Sequence, residues 1–160
     1  MTGHNKLRKI EYEMPNSGRR CFAIIDPELG RIDEYSQYLE MKIMAGTPHN
    51  TLISYAHSLK VFFEYYLAAS SPDVIILAEG RNTLSRILLS YPLYLAFGQD
   101  SADPIAKAVA EITKLKPLAK SSIQANLGAV SSFCKESNAL HADLLSLRDD
   151  LISVDVEPSV

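Results

Sequence analysis

The chain has 160 residues, 47% of them hydrophobic and 22% charged, which is enough for one domain with its own core and too short for two. Its formal net charge of −3 excludes a uniformly basic nucleic-acid binder. The charge is uneven, however, because residues 138–160 carry −4 and everything before them sums to +1. The longest apolar runs fall well short of the roughly 20 residues that span a membrane, and the opening MTGHNKLRK has no apolar signal core. A cytoplasmic location without a membrane partner is therefore expected.

In chain order, KIEYEM and RRCFAIID have strand character and are separated by the turn signal Pro15, Asn16, Ser17 and Gly18. They predict a β-hairpin or extended arm over residues 1–30, ended by Asp26, Pro27 and Gly30. From Ile32 the apolar residues Ile32, Tyr35, Leu39 and Ile43 recur at helical spacing, with Asp33 and Glu34 at the start and Gly46 past the end. A second helix starts near Asn50, capped by Thr47 or Asn50. Its stripe is Leu52, Tyr55, Ala56, Leu59, Phe62, Phe63 and Tyr66; Asn50, Ser54, His57 and Val61 point the other way, and Glu64 closes that face.

SSPD interrupts the pattern, and VIIL reads equally as a buried strand or a short helix. Another helix is expected from Asn82 or Thr83, kinked or interrupted by Pro92, followed by a loop over residues 98–103. Pro104 suits the first position of the next helix, which Pro117 stops. Ser121 or Ser122 then caps a helix with Ile123, Leu127, Val130, Phe133 and Cys134 on its apolar stripe. Gln124, Ala125, Gly128, Ser131, Ser132 and Lys135 form its other face. A last helix over residues 143–152, built on Leu144, Leu147 and Leu151, completes a helical domain over 31–153, and residues 154–160 read as the start of a linker. The fold class is mainly α.

The chemistry of a self-sufficient enzyme is missing. No phosphate loop, HExxH or GxSxG occurs, the histidines stand singly, and Cys21 and Cys134 lack metal-ligand spacing, so no catalytic residue, metal or cofactor is expected. Two helices, over residues 50–67 and 121–137, instead share a design: an apolar stripe opposite a face of small hydrogen-bonding side chains. Such faces suit phosphates and base edges, and Lys114, Lys116 and Lys120 lead into the second of them. Solvated faces of a helical bundle fit the same spacing, and so does a helical protein–protein interaction module without DNA binding.

The order of residues adds a family resemblance. Gly46, Asn50-Thr51, Tyr55, Leu59, Phe62-Phe63 and Tyr66, followed later by KSSIQANLGAVSSFCKE, resembles the N-terminal core-binding domain of tyrosine recombinases, the phage integrase family. The resemblance covers roughly residues 30 to 140. It implies a SAM-like bundle of four to six helices that forms half of a clamp on double-stranded DNA. It also implies a C-terminal catalytic domain of the same protein, outside this chain, which carries the Arg, Lys, His and nucleophilic Tyr of strand cleavage and joining, and a recombinase tetramer on DNA. Carried over residue by residue, the DNA-facing positions are Thr51, Ser54, His57 and Ser58, flanked by Lys60, and Lys120, Ser121, Gln124, Gly128 and Ser132, flanked by Lys135. Ser131 stands where many relatives have Arg, which lowers the phosphate affinity to be expected. The eight tyrosines read as core or rim aromatics.

Overall fold

The structure is a computed structural model that describes residues 7–15, 17–79 and 83–136. The helix expected over 143–152, the linker after it, and Asn16, His4 and His141 lie outside the described residues. The fold is mainly α with a short N-terminal antiparallel sheet. Strands β1 (Arg8–Glu13) and β2 (Arg20–Asp26) pair in the register Arg8 with Ile25 through Glu13 with Arg20. Gly18 turns the hairpin at φ +69°, a conformation that costs a residue without Cβ little.

The sheet continues where the sequence pattern ended it. The Asp26 carboxylate accepts hydrogen bonds from the backbone N–H groups of Glu28 (2.9 Å) and Leu29 (2.7 Å), a side-chain mimic of a backbone turn. Gly30 at φ +82° then starts a third strand, β3 (Gly30–Arg31), antiparallel to β2. β2 is therefore central, and Cys21, Phe22, Ala23 and Ile24 are all buried. Helix α1 (Asp33–Met44) packs on this strand, where the Ser36 hydroxyl donates to the Phe22 carbonyl at 3.1 Å. Tyr12 is tied to the same helix by its hydroxyl, which donates to the Glu40 carboxylate.

Helix α2 (His49–Ala69) is the central element and touches α1, α4, α5 and α6. Pro48 occupies its N-cap position without a side-chain bond, so neither Thr47 nor Asn50 caps it. The ambiguous VIIL segment is helical: α3 (Pro72–Ile75) runs into a 3-10 turn, Ile76–Ala78. Helix α4 (Thr83–Phe97) starts as expected and continues through Pro92 as one element. Proline in a helix interior costs about 3 kcal/mol, but Tyr91, Pro92, Tyr94 and Leu95 are all buried. Burial of that apolar stripe outweighs the lost hydrogen bond.

Helix α5 (Pro104–Thr113) has Pro104 in its first turn, capped by the Asp103 carboxylate, which accepts from Ala106 N–H at 2.9 Å. It stops before Pro117, at Lys114, whose backbone is left-handed at φ +62°. Helix α6 (Lys120–Glu136) follows. Gly98 lets the connection between them lie close to α4: a Cβ there would meet the Leu115 carbonyl at 2.9 Å. Leu118 N–H donates to the Leu95 carbonyl at 2.9 Å beside it.

The core is aromatic. Phe62, Tyr65, Tyr91 and Tyr94 form one cluster with ring centroids 4.7 to 6.0 Å apart. Tyr65 donates to the Ile87 carbonyl at 2.7 Å and Tyr94 bonds to the Thr113 hydroxyl at 2.8 Å. The fully buried Tyr91 hydroxyl has no hydrogen-bond partner among the described residues. An unpartnered buried hydroxyl costs about 1–3 kcal/mol. Tyr91→Phe should therefore raise the denaturation midpoint, by about 1 kcal/mol in stability; a loss of stability in chemical denaturation would show that the hydroxyl is satisfied. Among the described residues, no single helix is long and apolar enough to cross a membrane.

Candidate nucleic-acid interface

The interface candidates lie on α2, on α6 and on the loop that enters α6. On α2, Asn50, Thr51, Ser54 and His57 are exposed along the N-terminal half. Past them the helix is enclosed: from Ser58 to its end no residue is exposed, because α4, α5 and α6 surround it. Ser58 is therefore a correction. It is 3% exposed and faces the interior, because the buried arc of this central helix is wider than one apolar stripe. Val61 is half-buried for the same reason. Lys60 is half-buried and donates to Glu64 at 3.1 Å, so part of its charge is already neutralised.

On α6, Lys120, Ser121, Ser122, Gln124, Ala125, Gly128 and Lys135 are exposed. Ile123, Asn126, Val130, Phe133 and Cys134 point inward. Gly128 has open space where its Cβ would stand, so no contact among the described residues requires glycine there. Ser132 differs from the rest of the face. Its oxygen lies 2.5 Å from the Tyr38 hydroxyl, and it donates to the Glu136 carboxylate at 3.0 Å. Lys42 from α1 donates to the same carboxylate at 2.9 Å. Burial pulls the Glu136 pKa up, but the hydrogen bonds from Lys42 and Ser132, with the charges of Lys42 and Lys135, outweigh it and hold the pKa below the ordinary value. This end of α6 is spent on fastening the helix to α1.

Lys114 and Lys116 are exposed on the connection before α6. They line a recess of about 240 Å3 with Val61, Glu64, Tyr94, Thr113 and Leu115, which places them beside the middle of α2. Between Lys114 and Lys135 the sequence holds four lysines and no carboxylate. Every charge within that stretch of sequence is positive, with Glu64 of α2 the acid that shares its recess, and clustered cations attract polyanions.

Asn50, one turn before Ser54 on the same face of α2, joins this surface, and Ser122, exposed in the first turn of α6, borders it. Among the described residues no group of three or more His, Cys, Asp or Glu could hold a metal. Both cysteines are buried and neither forms a disulfide. Of the eight tyrosines, Tyr35, Tyr38, Tyr65, Tyr91 and Tyr94 are buried and Tyr12, Tyr55 and Tyr66 half-buried. No protein-family model, curated protein or solved structure matches the chain.

Proposed function

We propose that this chain is the DNA-positioning, core-binding domain of a site-specific tyrosine recombinase or integrase in the cytoplasm, holding duplex DNA for strand exchange by a catalytic domain of the same protein. The observation that carries this reading is the acid-free run of exposed lysines, Lys114, Lys116 and Lys120, leading into the small polar outer face of α6. Lysines there meet phosphates and set the register, while Gln124 and Ser121 on the helix can reach base edges. A duplex titration at two salt concentrations tests it. Contact of Lys114, Lys116 and Lys120 with about three phosphates contributes about −2.7 to the slope of log K against log salt.

Within this reading Lys120→Ala weakens binding on every sequence and lowers the salt slope by about 0.9, whereas Gln124→Ala costs about 1–3 kcal/mol only on preferred sites. Equal losses on all sequences for both variants would overturn these roles. The second reading, a helical protein-interaction module, is favoured by two large apolar side chains in solvent, Met44 at 80% and Ile76 at 71% exposure. No duplex binding at low salt would leave that reading standing.

A further inference from the structure

A second cationic cleft lies at the other end of α2. The hairpin turn and the α1–α2 junction enclose about 310 Å3 lined by Gly18, Arg19, Arg20, Thr47 and His49, with Ile43 and Leu52 as an apolar floor. Arg19 and Arg20 are exposed. Arg20 holds Glu11 at 3.1 Å, with both side chains about half in water (58% and 43%), and an exposed pair of this kind is worth at most about 1 kcal/mol. It can be exchanged for a phosphate. Glu13 is a second carboxylate nearby, its oxygen 3.3 Å from where a Gly18 Cβ would stand, and the first turn of α2 contributes no acidic side chain.

The position of the cleft gives it meaning. His49 and Leu52 line it at the start of α2, and Val61 and Glu64 border the Lys114–Lys116 recess farther along the same helix. At a rise of 1.5 Å per residue the two are roughly 20 Å apart, less than the ~34 Å of one duplex turn. The uncharged exposed residues Asn50, Thr51, Ser54 and His57 lie on the stretch of helix between them.

We propose that Arg19 and Arg20, with His49, form a second phosphate-binding cleft that anchors the DNA backbone at the N-terminal end of α2, so that cationic anchors bracket the uncharged face of that helix. This rests on the DNA reading above. It explains how a face without charge can be held against a polyanion: the side chains on the face supply fit, and arginines, whose forked guanidinium groups match phosphate oxygens, supply attraction at its end.

The test is fluorescence anisotropy of the full chain with duplex DNA over a salt series. Removing two phosphate contacts in R19A/R20A lowers the salt slope by about 1.8 and weakens low-salt binding by an order of magnitude or more, while the helical circular dichroism is unchanged. R19K/R20K keeps the slope. The control R8A/K107A removes two other exposed cations and leaves the slope near that of the parent. If R19A/R20A behaves like that control while the parent binds with a steep salt dependence, the cleft is overturned and the DNA reading stands. If the parent chain binds no duplex at low salt, both fall.

Discussion

Raising the pH past 10 unfolds this domain cooperatively, with a midpoint near pH 11–12. The cause is the buried tyrosine set. Tyr35, Tyr38, Tyr65, Tyr91 and Tyr94 are all at most 2% exposed, and burial raises the pKa of each: Tyr94 is pushed up to about 12, and Tyr65 and Tyr91 stand well above the usual value. Below the unfolded value of about 10, every one of these phenols is protonated in both states, and the full stability is present. Above it the unfolded chain releases protons that the native state holds, so stability falls as pH rises toward the folded values.

Each tyrosine contributes up to about 1.4 kcal/mol per pH unit, and five together about 7. A domain stability of about 5–15 kcal/mol is exhausted within one to two units. The chain has no tryptophan, so tyrosinate absorbance reports the event directly, and it should rise together with loss of helical circular dichroism. A smooth titration of all tyrosines near pH 10 with helix intact would sink the prediction. Tyr91→Phe, which removes one of the five phenols, should move the midpoint upward.

The elements that were legible in the sequence are those whose apolar residues recur at helical spacing. α1, α2 and α6 each show a stripe at helical spacing, and the residues that stripe named, among them Leu39, Leu59, Phe62 and Phe133, are buried. Misreadings follow from partners that a period cannot see. Val61 falls on the polar side of α2 by spacing and Ser58 is placed on the DNA-facing side by the family resemblance, but α4 and α5 close around the second half of that helix, so it is wet at Ser54 and enclosed at Ser58. Pro92 reads as a kink or interruption because its local cost is visible, whereas Phe62 and Tyr65 of α2, against which its neighbours Tyr91 and Tyr94 are buried, come from elsewhere in the chain.

The candidate surface was legible in part for a similar reason. Exposure of Thr51, Ser54, His57, Ser121, Gln124 and Gly128 follows from helix phase. The commitment of Ser132 to Tyr38, and of Glu136 to Lys42, depends on α1, far away in sequence, and no spacing rule announces it. Arg19 and Arg20 sit in a strand-like run that reads as architecture; only the fold brings that turn to the start of α2.

Phe133→Ala should cost about 3–5 kcal/mol, the range for emptying a fully buried aromatic site. Phe133 is 0% exposed and stands edge-on to Tyr38 of α1 (5.4 Å, 77°) and Phe63 of α2 (5.5 Å, 77°). Edge-to-face pairs add about 0.5–1.5 kcal/mol beyond the buried area, and one truncation removes two of them. The loss is a fifth or more of a domain stability of about 5–15 kcal/mol. It should appear in urea titration as a lower midpoint with an unchanged slope. Phe133→Leu keeps much of the volume and should lose clearly less, while Gln124→Ala on the exposed face should stay within about 0.5 kcal/mol. Because Phe133 and the neighbouring Ser132–Glu136–Lys42 bonds together fasten α6, the Ala variant also loosens the surface that Ser121 and Gln124 present. Under conditions where the variant is still folded, duplex binding should weaken although no proposed contact residue has changed. A Phe133→Ala protein that loses less than about 1 kcal/mol would mean that α6 does not close this core.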